Sequence, residues 1–540
     1  MNHIRSPAVA SGPTVSAFPD TAPARAAALQ PAFPASIPRR MSVRVRIAPS
    51  PTGDPHVGTA YIGLINWCFA RRHGGRFILR IEDTDQTRCT PESAQAIYDS
   101  LKWLGLSYDE GPDVGGDRGP YVQSERVKLG IYRRYADQLV AQGDAYYCFC
   151  SARDLESMKA RQRAANEPIM YDRRHRAMPL DEARARIAGG EPYVVRMKPP
   201  LDGEFIYKDR LRPKPVVKAW KEIDDQVLLK SDGWPTYHLA AVVDDHLMGI
   251  THVIRAEEWL NSLPKHIWLN EKLGFTPPEY VHVGLLRNAD KSKISKRKNP
   301  TSLLWYRRQG FTPEAMLNFL AMLGHSFPDG REQFTAAELA QVFDLDRINV
   351  AGPVFDLAKL RHLQGLWFRG FSAERQRAEV HRAIDERFDQ LFPLLKERMA
   401  NGGDFISAAE PFYAQKVEPH LDDLLPKGWS AAQGKSVLEA VQKACKDFLA
   451  GDGNAWDAPS LEKLARDLIA AKATLPFEAT PEQTAAAALW QPKGVFMLLR
   501  VAATGRSQSP PLFDTLACLG GLVVIERLGF AIQKLGAVRA

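Results

Sequence analysis

The chain has 540 residues, of which 45% are hydrophobic and 25% are charged, an ordinary globular composition. That length is too great for one hydrophobic core, so we expect three or more domains. No apolar run approaches the roughly 20 residues that a membrane span requires, so we expect no membrane association. The formal net charge of +8 permits a polyanionic partner, and six scattered cysteines argue against a disulfide scaffold.

The first 40 residues are rich in alanine and proline and contain a single acid, Asp20. Such a segment buries too little apolar surface to fold, so we expect residues 1–40 to be a disordered extension. One interpretation is a transit peptide for organellar import, which would be acid-poor and would contain arginine in this way. The other is a start codon assigned too early, because Met41 directly precedes the first strand. The proline density favours the second interpretation and a cytoplasmic location.

Residues 41–124 have the pattern of a β-loop-α-β unit. Alternating apolar residues predict a strand at 43–47, a helix is predicted from about 58 to 72, and a second strand follows at 77–81. This order predicts an α/β catalytic domain with a doubly wound parallel sheet and a ligand at the carboxyl ends of its strands. We expect the domain to be split, with its second half at residues 229–300.

Residues 125–228 break the βα rhythm and read as an α+β insertion. After residue 300 the strand patterns largely vanish, and the last part of the chain is predicted to be all-α. Helical periodicities cover residues 373–400, 431–450, 459–473 and 513–535. We expect this helical part to divide into residues 301–370, 371–460 and 461–540.

The tetrapeptide His56-Val57-Gly58-Thr59 follows a tight Pro/Gly-rich turn and opens the first helix. A helix N-terminus has unsatisfied N–H groups and the positive end of a dipole, so it suits phosphate. Gly58 would let a flat adenosine approach the backbone, and His56 could donate to a phosphate oxygen. An ordinary helix start would look the same, and the tetrapeptide alone favours that simpler interpretation.

The second informative segment is Lys293-Ile294-Ser295-Lys296-Arg297. Attack on the α-phosphate of ATP expels pyrophosphate, whose growing charge needs cations in the transition state. Lysines on a loop could close over the triphosphate and then release it. A solvated basic loop is the alternative, since most such runs are no more than that.

In this order, the two segments resemble the signatures of class I aminoacyl-tRNA synthetases, usually written HIGH and KMSKS. The surrounding residues resemble the bacterial-type glutamyl-tRNA synthetases over about residues 43–535. The matching stretches are residues 46–60, 80–85, 101–106, 237–245, 254–259, 285–298, 305–324, 352–360, 499–505 and 510–513. The resemblance implies ATP-dependent attachment of L-glutamate to tRNA(Glu) in two steps, with glutamyl-adenylate as the intermediate.

The resemblance also implies roles for individual residues. The residues expected to bind glutamate are Arg46, Ala48, Ser50, Glu82, Tyr237 and Arg255. Those expected to bind ATP are His56, Gly58, Glu258, Trp259, Leu285, Leu286, Lys293 and Lys296. Of these, the catalytic set is His56, Gly58, Lys293 and Lys296. Magnesium should accompany the triphosphate, bound mostly through phosphate oxygens and water.

For the rest of the chain, the resemblance implies contacts with tRNA(Glu). The insertion should hold the acceptor end, residues 301–370 should contact the stem, and residues 371–460 and 461–540 should form two parts of a helical anticodon-binding domain. We expect a monomer. Departures from the family pattern are Thr59 in place of histidine, Ile294 in place of methionine, Arg297 in place of serine, and Ala241 in place of an asparagine found in some relatives.

Some bacterial relatives carry zinc in the insertion, held by a Cys-x-Cys pair and a later Cys-x-His. Here Cys148 and Cys150 are present, His175 stands in the third place and Ala177 in the fourth. Tyr171 could supply an oxygen, although tyrosine is an unusual zinc ligand. A half-kept set is more typical of a lost site, so we expect no zinc.

Four alternatives stay open. A tRNA-modifying glutamyl transferase would share the catalytic half but lack the helical anticodon portion. A glutaminyl enzyme is the second alternative within the class. A nucleotidylyltransferase for a small substrate would leave the C-terminal helices unexplained. A non-catalytic RNA-binding derivative would not need to keep both signatures.

Overall fold

The computed structural model describes residues 42–294, 300–414, 416–451, 454–476 and 478–538. Its strands are β1 (Arg44–Ile47), β2 (Arg76–Leu79), β3 (Ala145–Cys148), β4 (Val194–Met197), β5 (Glu204–Tyr207), β6 (Val216–Ala219), β7 (Val227–Leu229), β8 (His252–Ala256) and β9 (Glu279–Val283). Short 3-10 helices lie at Trp220–Glu222, Glu257–Ser262, Leu345–Arg347 and Lys396–Arg398.

The α-helices up to residue 273 are α1 (Val57–Arg72), α2 (Pro91–Leu104), α3 (Gln123–Lys128), α4 (Ile131–Gln142), α5 (Ala152–Ala164), α6 (Leu180–Ala188), α7 (Tyr237–Leu247) and α8 (Leu263–Leu273). The helices that follow are α9 (Leu303–Arg308), α10 (Pro313–Gly324), α11 (Ala336–Val342), α12 (Leu357–Gly370), α13 (Ala373–Leu395), α14 (Asp404–Tyr413), α15 (Leu421–Leu424), α16 (Ala431–Ala450), α17 (Ala458–Ala473), α18 (Pro481–Ala488), α19 (Pro492–Thr504), α20 (Leu512–Leu519) and α21 (Gly521–Gly536).

The predicted β-loop-α-β unit is present at the start of the described chain. Strands β1 and β2 pair in parallel, with Arg44 opposite Arg76, and α1 connects them. The turn from α1 into β2 requires a glycine at position 75, because a Cβ there would lie 2.3 Å from the carbonyl oxygen of Val43. The close approach of these two backbones therefore fixes where α1 ends and β2 begins.

A second parallel unit consists of β8, α8 and β9. The N–H of Thr251 donates to the carbonyl of Arg44 at 2.9 Å, which places the start of β8 beside β1. Residues that follow the strand ends, among them Ser50, Glu82 and Glu258, consequently gather at one edge. This is the edge at which ligands bind in parallel α/β sheets.

The region between the two parallel units has a different architecture. Strands β3, β4 and β7 form an antiparallel sheet in that order, and β5 and β6 form a separate antiparallel pair. Helices α3 to α6 lie in the same stretch of chain. The mixture of helix and antiparallel strand fits the composition predicted for residues 125–228, while the domain boundaries stay a prediction.

From residue 303 onward, the described residues contain helices and no strand. One continuous apolar cluster extends from Val45 in β1 to Leu363 in α12. Another extends from Leu391 in α13 to Leu535 in α21 and joins the later helices. The helices predicted at 431–450 and 459–473 are confirmed as α16 and α17, whereas the helix predicted at 373–400 ends at Leu395.

The single helix predicted at 513–535 is wrong. Gly520 has a φ of 83°, a conformation that disfavours any residue with a side chain, and it separates α20 from α21 at an angle of 107°. No single helix among the described residues is both long and apolar enough to span a bilayer. The bent pair α20 and α21 meets that test of length and composition only when the two are joined.

Candidate active site

A cleft of about 950 Å³ lies at the carboxyl ends of β1, β2, β8 and β9. It brings together almost all the residues that the sequence pattern singled out for ATP and glutamate. Those lining it are Arg46, Ala48, Ser50, His56, Gly58, Glu82, Tyr237, Arg255, Glu258, Trp259, Leu285, Leu286 and Lys293. Lys296, with the rest of residues 295–299, lies outside the described residues.

One side of the cleft is the N-terminus of α1. His56 is the N-cap residue, and its Nδ1 accepts the N–H of Gly58 at 2.9 Å, so the proton of the neutral ring belongs on Nε2. The first turn of α1 has no acid to offset the positive end of the helix dipole. A Cβ on Gly58 would lie 3.0 Å from the His56 imidazole, so a larger residue here would require that ring to shift from its capping position.

The residues just after the second signature pair with the backbone around the first signature. The N–H of Val57 donates to Thr301 at 2.8 Å, and the N–H of Leu303 donates to Pro55 at 2.9 Å. The hydroxyl of Ser302 also donates to Asp54 at 2.7 Å. The residues that follow the second signature are therefore anchored directly onto the first.

Buried charges of alternating sign support the cleft from below. Asp245 accepts from Arg46 at 3.0 Å and from Arg80 at 2.7 Å, and Arg80 also donates to Glu82 at 2.9 Å. Although burial alone would raise it, the two guanidinium groups hold the pKa of Asp245 below its ordinary value. Burial raises the pKa of Glu82 against the pull of Arg80. Arg46 thus reaches the cleft already paired.

Arg255 is positioned differently. Its Nε–H donates to His282 Nε2 at 3.0 Å, and its Nη1–H donates to His266 Nδ1 at 3.1 Å and to the Tyr237 hydroxyl at 3.3 Å. Its remaining terminal nitrogen donates to the carbonyl of Trp259 at 3.2 Å. Only 5% of Arg255 is exposed, so these neutral acceptors replace water around a buried cation.

A comparison of the cations in the cleft makes Arg255 distinctive. Among the described residues, every other arginine or lysine lining the cleft has a carboxylate within 4 Å, and Arg255 has none. The paired cations are Arg46, Arg88, Lys230 and Lys293. The cleft therefore presents one buried positive charge that an incoming anion can neutralise.

Lys293 forms an ion pair with Glu258 in the cleft. Both side chains are more than a third exposed, so solvent screens the pair and its net stabilisation is small, about 0–1 kcal/mol. Lys293 could therefore leave Glu258 for a phosphate group at little cost in free energy. Thr59, the departure from the family histidine, also lines the cleft, whereas Ala241 is buried in α7 and does not.

Sequence reasoning missed the supporting residues Arg80, Asp245, His266 and His282. One signal was available, because Asp244 and Asp245 end an otherwise apolar run, and buried acids require buried cations. No local pattern pointed to the two histidines, which reach Arg255 from α8 and β9.

Away from the cleft, the candidate zinc ligands do come together. The Tyr171 hydroxyl lies 3.3 Å from Cys148 Sγ, 3.5 Å from Cys150 Sγ and 3.1 Å from His175 Nδ1. Cys150 Sγ lies 3.6 Å from His175 Nδ1. Tetrahedral coordination at ordinary zinc bond lengths separates neighbouring donors by roughly 3.3–3.8 Å, and three of these four separations lie in that range. The ligand atoms of Cys148, Cys150 and His175 all lie within 4.8 Å of one another, so the cluster could close around a zinc ion after small shifts.

Two protein-family models match the chain, and together they cover most of it. The model described as tRNA synthetases class I (E and Q), catalytic domain, matches residues 42–362, and the model described as anticodon binding domain matches residues 367–532. The chain therefore combines a class I synthetase catalytic domain with a helical anticodon-binding domain.

Individual relatives are similar over nearly the whole chain. The glutamate–tRNA ligase of Cellvibrio japonicus is 47% identical over 497 residues, which cover 92% of this chain and 94% of the relative. That of Pseudomonas putida strain W619 is 45% identical over 503 residues, covering 92% and 96%. A solved glutamate tRNA ligase from Elizabethkingia meningosepticum, in complex with its amino acid, is 32% identical with a TM-score of 0.60, covering 92% of this chain and all of that one. The chain belongs to the class I aminoacyl-tRNA synthetases, in the glutamate–tRNA ligase family.

Proposed function

We propose that this chain attaches L-glutamate to tRNA(Glu) in two ATP-dependent steps, both carried out in the cleft at the strand ends. The observation that carries the proposal is Arg255, a buried guanidinium with no carboxylate partner among the described residues. Its positive charge matches the side-chain carboxylate of glutamate, to which the second N–H of its Nη2 can donate. Glu82, with Ser50, faces the substrate ammonium.

In the first step, an oxygen of the glutamate α-carboxylate attacks the α-phosphorus of ATP. The bond from that phosphorus to the bridging oxygen breaks, and pyrophosphate leaves with the electron pair. His56 and the N-terminus of α1 stabilise the charge that builds on the phosphate oxygens. Lys293 and Lys296 hold the departing pyrophosphate, for which Lys293 exchanges its partner Glu258.

The adenine and ribose occupy the side of the cleft bounded by Gly58, Trp259, Leu285 and Leu286. Among the described residues, the four acids that line the cleft all have basic partners, namely Glu82, Asp85, Asp232 and Glu258. That arrangement suits magnesium held mainly by phosphate oxygens and water rather than by a protein cage. Bound in this way, magnesium neutralises triphosphate charge.

In the second step, the terminal ribose 2′-hydroxyl of the tRNA attacks the acyl carbon, and AMP leaves. No side chain becomes covalently modified, so catalysis is positioning and charge stabilisation. The insertion at 125–228 holds the acceptor end, and the helices after residue 371 read the anticodon, whose bases are unstacked and accessible.

Pyrophosphate exchange into ATP tests this proposal when it is measured with glutamate or glutamine and with or without tRNA(Glu). We expect exchange with glutamate that requires tRNA, and Arg255→Ala should raise the KM for glutamate at least about 100-fold, because a desolvated carboxylate loses its partner. Exchange without any tRNA would favour the nucleotidylyltransferase alternative. A preference for glutamine would favour a glutaminyl enzyme, and no exchange would favour the non-catalytic one.

The donor set in the insertion supports a second proposal, that Cys148, Cys150, Tyr171 and His175 hold a structural zinc ion. The guanidinium of Arg196 lies 3.8 Å from the centre of the Tyr171 ring. Burial raises the pKa of the Tyr171 hydroxyl, so zinc binding would have to displace the phenolic proton. Bound zinc would cross-link β3 to the loop before α6.

Metal analysis of the purified chain tests this second proposal. We expect about one zinc per chain, and a clear loss in Tyr171→Phe. Cys518→Ser, which alters an exposed cysteine elsewhere, serves as the matched control. Zinc below about a tenth of an equivalent in the unmutated chain would refute the site.

A further inference from the structure

The hydrogen-bond partners of Arg255 are unusual for a buried arginine. Among the described residues, the buried arginines Arg46, Arg80 and Arg126 pair with carboxylates, and Arg196 and Arg527 donate to backbone carbonyls. Arg255 instead donates to two imidazole rings, those of His266 and His282, which we call the histidine pair. The histidine pair is buried, with exposed fractions of 2% and 0%.

The tautomers of the histidine pair follow from their outer partners. His282 Nδ1 lies 2.7 Å from Asp209 Oδ2, so it carries the proton and donates to that carboxylate, which leaves Nε2 to accept from Arg255. His266 Nδ1 accepts from Arg255, so its Nε2 carries the proton and donates to His238 at 3.2 Å. Each ring is therefore a neutral acceptor with a fixed orientation.

The pKa shifts of the two histidines agree with neutral rings. Burial lowers the pKa of His282 to about 4, and burial, followed by the charge of Arg255, lowers the pKa of His266 well below its ordinary value. Asp209, the acid of this group, is separated from Arg255 by the whole width of the His282 ring. The guanidinium is thus oriented by four acceptors and neutralised by none.

Resting on the proposed role of Arg255, we propose that the histidine pair consists of positioning residues that keep Arg255 oriented but uncompensated, and so set the preference for a carboxylate over an amide. A carboxylate in place of either imidazole would orient Arg255 equally well. It would also neutralise the positive charge with which the side-chain carboxylate of glutamate pairs. Glutamine, which is neutral and of nearly equal size, would then compete on more equal terms.

The test compares His266→Asp with His266→Asn. Oδ1 of either residue can stand where Nδ1 stands now, and the two differ only in charge. With tRNA(Glu) present, pyrophosphate exchange gives kcat and KM for glutamate and for glutamine. We expect His266→Asp to raise the KM for glutamate at least about tenfold and to narrow the glutamate-to-glutamine ratio of kcat/KM by a similar factor. With His266→Asn, both the KM for glutamate and the glutamate-to-glutamine ratio of kcat/KM should stay close to those of the unmutated chain.

Two controls isolate the effect. His73→Asp adds the same charge at an exposed position just after α1, at the end of that helix away from His56, and should leave the KM for glutamate unchanged. If His266→Asp does not fold, His282→Gln and His282→Met replace it as a pair. Glutamine keeps an acceptor near Nε2 and methionine does not, so the KM for glutamate should rise about tenfold only with methionine, while the KM for ATP stays constant.

Equal KM values for His266→Asp and His266→Asn, or for the two His282 variants, would overturn this inference. Arg255→Ala distinguishes that failure from a failure of the proposed function. If Arg255→Ala raises the KM for glutamate while the histidine variants behave alike, only the role of the histidine pair is lost. If Arg255→Ala has no effect on that KM, the assignment of the glutamate pocket itself is wrong.

Discussion

At the scale of single residues, the positive charge that the cleft presents depends on how each of its arginines is paired. Arg46 and Arg255 both point into it, yet one is paired with Asp245 and the other is held by neutral rings. A paired guanidinium mainly supplies hydrogen-bond geometry, whereas an unpaired one also supplies charge. Under the proposed function, the two arginines would therefore contribute differently to glutamate binding.

Asp245→Asn tests the support below Arg46. The change keeps the shape of the side chain but removes the charge that Arg46 and Arg80 share, leaving buried cations uncompensated. We expect the free energy of unfolding to fall by about 3 kcal/mol and the KM for glutamate to rise. Urea denaturation and pyrophosphate exchange measure the two effects, and an unchanged free energy of unfolding would mean that the buried pair contributes nothing.

At the scale of elements, the backbone approach at the end of α1 sets the position of the cleft. Because α1 presents His56 to the cleft and returns directly into β2, a shift at the C-terminal end of α1 would move both His56 and β2. Gly75 permits this tight return beside Val43.

Gly75→Ala should therefore destabilise the protein by about 2–4 kcal/mol, since the new Cβ meets backbone that cannot move without disturbing β1. Gly63→Ala in the same helix is the matched control. Its added Cβ would lie 3.8 Å from Leu106, an ordinary contact, and the helix interior favours alanine by about 0.5–1 kcal/mol. Thermal unfolding compares them, and similar melting temperatures would contradict the steric argument.

How far the sequence predicts these elements depends on how local their causes are. The strand alternation at 43–47 and the helix starting near Gly58 are set by neighbouring residues, and both are present. The break at Gly520 was missed because the apolar pattern continues through it, and only the positive φ reveals the turn. The histidine pair was missed because residues from α8 and β9 meet Arg255 only after the chain has folded.

At the scale of the whole molecule, buried neutral histidines link stability to pH. The pKa of His238 is lowered to about 3 and that of His282 to about 4, in both cases first by burial. Nearby cations add to the effect, Lys265 and Arg255 for His238, and Arg255 for His282. In the unfolded chain a histidine titrates near 6.5, so between pH 6.5 and about 4 the unfolded state binds protons that the folded state does not.

The sign follows directly. Each such histidine stabilises the fold fully above about pH 6.5, and the stabilisation declines as the pH falls, by up to about 1.4 kcal/mol per pH unit. Between pH 7 and pH 5.5, His282→Gln should lose about 1 kcal/mol less of its free energy of unfolding than the unmutated chain does. Urea denaturation at the two pH values measures the difference, and equal losses would show that His282 titrates normally in the folded protein.

The central claim is that one cleft holds ATP and glutamate side by side, with Arg255 on the side-chain carboxylate. A crystal structure with a non-hydrolysable glutamyl-adenylate analogue tests it most directly. We predict the adenosine against Gly58 and Leu286, and the side-chain carboxylate within about 3 Å of the Arg255 guanidinium. An analogue bound elsewhere, or a carboxylate that contacts Arg46 while Arg255 keeps only its present partners, would contradict the account.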